Sequence, residues 1–280
     1  MNTTLIEISM TSIRLLVITL AFSLITSSSF ASASERLRYA ILERDDLTAA
    51  QQAIDSAPDG FNVVAEVDRS THANILMDYI GRHYIPNLQV FDFLYDRGAT
   101  LTTIVDGVIQ ENALTVLLKH CHCYTEHNTR VVAQWLITKD PLLITTPALV
   151  WGNITPLGFT LVSAVCHKTL ALQEPTASRV EMYQRKLSQF AWLAHHPDYQ
   201  HFDTLIFKEA SPREYHAYNP LDQETSALDH LRHAAANGVP SAQEVLDDLT
   251  QHYPEIFELE EAQRTAATAE TGAALPLAAI

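Results

Sequence analysis

The side chains best equipped for chemistry lie in three places. His120-Cys121-His122-Cys123, followed by His127, carries the donor types of a zinc site. Zinc needs three or four donors converging on one point. Consecutive residues on a helix point about 100° apart and cannot all converge. His120 and Cys123, at i and i+3, supply at most one arm, and a second arm has to come from Cys166 or His167. The packing alternative is simpler: Cys121 faces the core as a small hydrophobe, and His120 and His122 cover the surface. No metal ligand is therefore assigned and no cofactor is expected. His195-His196-Pro197-Asp198, with His201 and Asp203, is the second cluster. On a loop it offers acid–base or metal chemistry, but a histidine at a helix C-terminus is already favoured by the helix dipole. No Gly-x-Ser-x-Gly, His-Glu-x-x-His or phosphate-cradling glycine loop accompanies either cluster. The chain is read as a non-enzyme with no catalytic residue, a metal-binding protein or metal-dependent enzyme on the Cys/His clusters being the alternative.

The third place is the connection from Asp198 to Asp222, which holds Tyr199, Phe202, Phe207, Tyr215 and Tyr218. Long insertions between regular elements often carry function, and aromatics are enriched at interface hot spots. These five residues are the partner-binding candidates. The competing reading packs their rings back onto the neighbouring helices.

The elements that must position these residues are helices in pairs. Thr155 is placed as an N-cap, and Pro156 fits the first helical position, where a missing N–H costs nothing. Leu157, Leu161, Ala164 and Val165 then form one apolar face. Similar openings precede further helices, giving expected pairs Glu35–Glu43 with Leu47–Ser56, Asn74–His83 with Leu88–Asp96, and Glu111–His122 with Asn128–Thr138. Thr155–His167 pairs with Arg179–His195 across an inserted Leu170–Ser178, and Ser226–Asn237 pairs with Ser241–His252. Val90, Phe93 and Leu94 are expected inside, and Gly98 is placed as the left-handed residue after its helix. Helix pairs that must stack to bury their faces make an α-solenoid. The fold class is all-α.

Composition narrows the partners. Lys and Arg number 18 against 33 Asp and Glu, a formal charge of −15. Such a chain repels phosphate backbones, and no Lys/Arg stripe offsets this, so nucleic acid is disfavoured. Arg14, the apolar run Leu15–Ile25 and the small-residue site Ala31-Ser32-Ala33 read as a secretory signal peptide over residues 1–33, with cleavage after Ala33. If uncleaved, that segment would tether the domain to a membrane. Secretion or periplasmic residence is expected. Residues 34–257 form the helical domain, expected to be monomeric. The Ala/Thr-rich stretch 258–280 lacks a face and is expected to be a flexible tail.

Several segments resemble ankyrin repeats. Thr155-Pro156-Leu157 matches the start of a unit, with Gly158 where histidine is usual. Ala235-Ala236-Asn237-Gly238 is similar to the end of a first helix, and Val90–Ala99 to a second helix with its Gly-Ala exit. The unit starts at Leu76, Leu114, Leu157 and Leu228 are 38, 43 and 71 residues apart, against a regular period of about 33. The resemblance is thus to an irregular, expanded array. It implies a scaffold that binds another protein through its concave face and inter-repeat loops. Together with the signal peptide it suggests a secreted effector of a host-associated bacterium.

Overall fold

The computed structural model describes residues 33–273 except 69, 84, 121–122, 150–153 and 197–226. The structure is mostly helical, with one two-stranded sheet among the described residues. It divides into two compact units, residues 1–100 and 101–280.

In the first unit, helix α1 spans 33–44 and buries Leu37, Ala40 and Ile41. Helix α2, Leu47–Asp55, starts where the Asp46 carboxylate accepts from the Ala49 N–H at 2.9 Å and buries only Ala50 and Ala53. Helix α3, Ile75–Arg82, is capped by Asn74, whose Oδ1 accepts from Met77 N–H. The same side chain donates to the Thr100 carbonyl at 2.7 Å, so one buried amide both starts a helix and holds the loop that follows the next. Helix α4 is Leu88–Asp96. Its inward set differs from the expected one. Phe91 is fully buried, edge-on to Tyr79 with centroids 5.5 Å apart. Phe93 is only half-buried, because its ring lies under the Arg97 guanidinium, 3.7 Å from the centroid. Gly98 follows at φ +97°, the left-handed exit read from the sequence.

The second unit opens with an element the helical reading missed. Strands β1, Thr102–Val105, and β2, Val108–Asn112, form an antiparallel hairpin. Asp106 and Gly107 at its tip have φ of +53° and +79°, both positive, as the favoured two-residue hairpin turns require. β-Branched residues on both sides of Asp-Gly are the local signal for it. Glu111 and Asn112 are consequently strand, and helix α5 is Ala113–His120 rather than starting at Glu111. Helix α6, Glu126–Lys139, is capped by Thr125 and stops at Asp140-Pro141, where a short 3-10 turn covers Pro141–Ile144.

Helix α7, Pro156–Gln173, starts as expected, with Thr155 Oγ1 accepting from Gly158 N–H at 3.2 Å. Leu157, Leu161, Ala164 and Val165 are buried on the predicted face. Pro156, Gly158, Thr160 and Val162 are buried as well, because α7 packs against α5, α8, α9 and α10. The expected insertion Leu170–Ser178 is mostly helix. Helix α7 runs on to Gln173, and α8, Ala177–Ala194, begins after Thr176 caps it. Contacts with α10 hold this extension: Thr169 Oγ1 donates to Ser241 Oγ at 2.8 Å, and Lys168 reaches Glu244 and Asp248.

Helices α9, Ala227–Ala236, and α10, Pro240–His252, form the last pair. Helix α11, Glu255–Ala273, occupies most of the stretch expected to be a flexible tail. Its first half is held by two anchors one turn apart. Ile256 is fully buried, and the buried Glu260 carboxylate accepts from both Arg232 and Arg264. The Glu260 ion pairs, one of them to Arg232 of α9, tie the start of α11 to the last helix pair.

Candidate interaction surface

Two fingers precede α5 and α7 in the second unit. The first is the β1–β2 hairpin. The second is the segment 141–149, which opens with the Pro141–Ile144 turn and is tied to Ile154 by an antiparallel bridge at Ala148. Asn112 joins them. Its side chain, fully buried, donates to the Leu143 carbonyl at 2.9 Å and to the Thr146 carbonyl at 2.8 Å, while Oδ1 accepts from Leu114 N–H at the start of α5. One residue thus fixes the hairpin base, the helix start and the second finger.

The fingers expose large apolar side chains that nothing in the helical core requires. Ile104 is 59% exposed and Val108 46%, on the hairpin, and Leu142 is 70% and Leu149 42%, on the second finger. Four exposed aliphatic side chains thus lie on two loops joined through Asn112. Residues 101–196 contain six acids and seven bases, so the chain's acidity lies outside the segment that bears the fingers. A second apolar set, Leu170, Leu172 and Val180, lies at the α7–α8 turn. It is about 20 Å from the start of α7 along the helix axis and forms a separate patch.

The clusters named for chemistry fall as follows. Cys121 and His122 lie outside the described residues. Cys123 is half-buried with a free thiol, and Cys166 on α7 is half-buried. His127 is exposed at the start of α6. Among the described residues, no group of three or more His, Cys, Asp or Glu side chains is placed to hold a metal ion. His195 caps the end of α8: its Nδ1 is 2.7 Å from the Ala191 carbonyl, and its Nε2 is 3.6 Å from Glu255. His196 is buried edge-on to Trp192. The pair is used in packing, and Pro197, Asp198, His201 and Asp203 lie outside the described residues. So do all five aromatic candidates, Tyr199, Phe202, Phe207, Tyr215 and Tyr218.

Three cationic side chains, the buried Lys186 and the half-buried Arg185 and Lys168, serve the framework. Lys186 on α8 donates to the Leu118 carbonyl near the end of α5, and Arg185 donates to the Tyr124 carbonyl at 2.9 Å, so α8 holds the α5–α6 connection. Lys168 sits 2.9 Å from Glu244 and 3.1 Å from Asp248, with its ammonium over the Tyr183 ring. Burial works to lower the Lys168 pKa, but the hydrogen bonds and charges of Glu244 and Asp248 outweigh it and hold the group above its ordinary value. Burial, then the hydrogen bond to Asp248, pushes the Tyr183 hydroxyl well above the usual tyrosine range. Both groups stay protonated across physiological pH. They lock α7, α8 and α10 together and offer no base or nucleophile.

Among the described residues no helix is long and apolar enough to cross a membrane. No family model, curated protein or solved structure matches the chain.

Proposed function

We propose that this chain is an exported protein–protein interaction module built from irregular, ankyrin-like helix pairs. The observation that carries the reading is the pair of fingers linked by Asn112, which present Ile104, Val108, Leu142 and Leu149 to solvent. Three further features support the ankyrin-like part. A finger stands before each of α5 and α7. The Thr-Pro-Leu start at Thr155 makes its capping bond to the N–H three residues on. First helices pack on first helices, α5 on α7 and α7 on α9. The partner is another protein, reached by the fingers, and no catalysis is needed. Export rests on the signal-like sequence of residues 1–33 and would place the partner in the periplasm, outside the cell or in a host.

The test couples processing to binding. The protein is expressed with its leader in a secreting bacterium, its N-terminus is sequenced, and partners are captured from bacterial-envelope and eukaryotic lysates. A start at Ser34 and a partner lost in an Ile104→Ser/Leu142→Ser double variant are expected. The melting temperature should barely move, since surface changes of this kind stay within about 0.5 kcal/mol. Capture undiminished in the double variant would remove the fingers from the reading. An intact leader in the membrane fraction would make the protein a tethered one.

A further inference from the structure

The first unit holds a cleft that the interaction reading does not use. Between helices α1 and α2 lies an open groove of about 390 Å³. Its floor is made of small side chains, Ala40 and Ala53, which are 2% and 3% exposed, with the half-buried Ala49 beside them. Alanines at these positions leave room between two helices that larger apolar residues would fill. The size falls within the range of small-molecule sites, and the mixture of an apolar floor with a few polar groups is typical of them.

The polar groups are two arginines, a glutamate and a glutamine. Arg36, Tyr39, Ala40 and Arg44 fall at i, i+3, i+4 and i+8 and so share one face of α1. Arg44 lies with its guanidinium 4.8 Å from the Tyr39 ring centroid, and its Nε donates to the Tyr39 hydroxyl at 3.1 Å. In a chain with nearly two acids for every base, most described arginines are paired with a carboxylate: Arg38, Arg82, Arg130, Arg179, Arg185, Arg232 and Arg264. Arg44 has no such partner within 4 Å among the described residues. Stacking on Tyr39 orients its fork while leaving the terminal nitrogens available, the arrangement that suits bidentate capture of a planar oxyanion.

We propose that the α1–α2 cleft binds a small carboxylate with an apolar body, the carboxylate on Arg44 and the body on the alanine floor. The floor selects the class. Ala40, Ala49 and Ala53 give the body of an organic acid an apolar contact that inorganic phosphate lacks, while Glu35 at the rim opposes any anion. The same chemistry comes from two sources, a free aromatic or aliphatic acid or the C-terminal residue of a polypeptide. The site is independent of the fingers.

The purified full-length protein is titrated by calorimetry with 2-naphthoate, with its neutral amide, with inorganic phosphate and with N-acetyl-phenylalanine. The expected result is saturable binding of 2-naphthoate that weakens about tenfold or more in Arg44→Gln, tightens severalfold in Glu35→Gln, and disappears in Ala49→Leu, which fills the cleft. The amide should bind at least about tenfold more weakly than the acid. Tighter binding of N-acetyl-phenylalanine than of naphthoate assigns the polypeptide source, and the reverse assigns a free acid. Arg44 is exposed and Ala49 is half-buried, so circular dichroism can confirm that the variants remain folded. No saturable binding of either carboxylate, equal affinity for acid and amide, preference for phosphate, or an Arg44→Gln variant that binds like wild type would each overturn the proposal.

Discussion

Replacing Asn112 with alanine should cost the second unit far more than an ordinary cap mutation. The wild-type side chain makes three hydrogen bonds: one from Leu114 N–H, and one each to the Leu143 and Thr146 carbonyls. Loss of the cap is worth about 1 kcal/mol, and each lost amide–carbonyl bond about 1 kcal/mol net. That sums to about 3 kcal/mol and approaches about 5 kcal/mol when the buried Leu143 carbonyl finds no water. Against a typical total of about 5–15 kcal/mol this is a large fraction. Asn112→Asp separates the terms. Aspartate is as good an N-cap as asparagine, so a cap-only role predicts tolerance. Here the second carboxylate oxygen would face two carbonyl oxygens at zero exposure, so the loss should equal or exceed that of alanine. Urea unfolding followed by tryptophan fluorescence is the assay, since Trp135 and Trp192 lie on α6 and α8 of the second unit. Thr155→Ala, which removes a single capping bond, is the control at about 1 kcal/mol. An alanine variant within about 1 kcal/mol of wild type, or an unperturbed aspartate variant, would show that the fingers are not held by this side chain.

Three other outcomes follow from the structure. Leu157→Ala, at a side chain 2% exposed and packed on α7's neighbours, should lower unfolding stability by about 2–4 kcal/mol in the same urea assay, and no change would mean the core face is misplaced. Gly98→Ala should cost at least about 1 kcal/mol in thermal melts, because φ is +97° and the new Cβ would meet Asn62 Nδ2 at 2.5 Å. Alkaline pH should destabilise the second unit. Lys168 and Tyr183 both have folded pKa values raised above the unfolded ones, so their contribution is complete below about pH 10 and is lost as pH rises, when the unfolded chain releases those protons first. Asp248→Asn should make that alkaline decline shallower, and an equally steep curve would assign it to other groups.

Local chemistry made most helices legible in the sequence. The capping side chains of Asp46, Asn74, Thr125 and Thr155 act on an N–H only three residues away, so their effect is written in the neighbouring sequence. Gly98 and the apolar face of Leu157, Leu161, Ala164 and Val165 are legible for the same reason. The hairpin was legible in principle, since Asp106-Gly107 between β-branched residues is a short-range signal, but the helical period of the following residues overrode it. Mostly helical pairing, the signal-like leader and the overall acidity are therefore statements the sequence makes alone.

The rest depends on partners distant in the chain. Phe91 rather than Phe93 enters the core because Tyr79 offers an edge to one and Arg97 covers the other. Helix α7 continues past His167 because Ser241, Glu244 and Asp248, more than seventy residues on, receive Thr169 and Lys168. Glu260 is ordered by Arg232, and Asn112 finds its carbonyls 31 and 34 residues away. Exposure of Ile104 and Leu142 is equally a tertiary fact: the same aliphatic side chains would read as core until the fold left them outside. Burial and long-range hydrogen bonding are properties of the packed chain, and only the tertiary structure decides which of several plausible faces is covered.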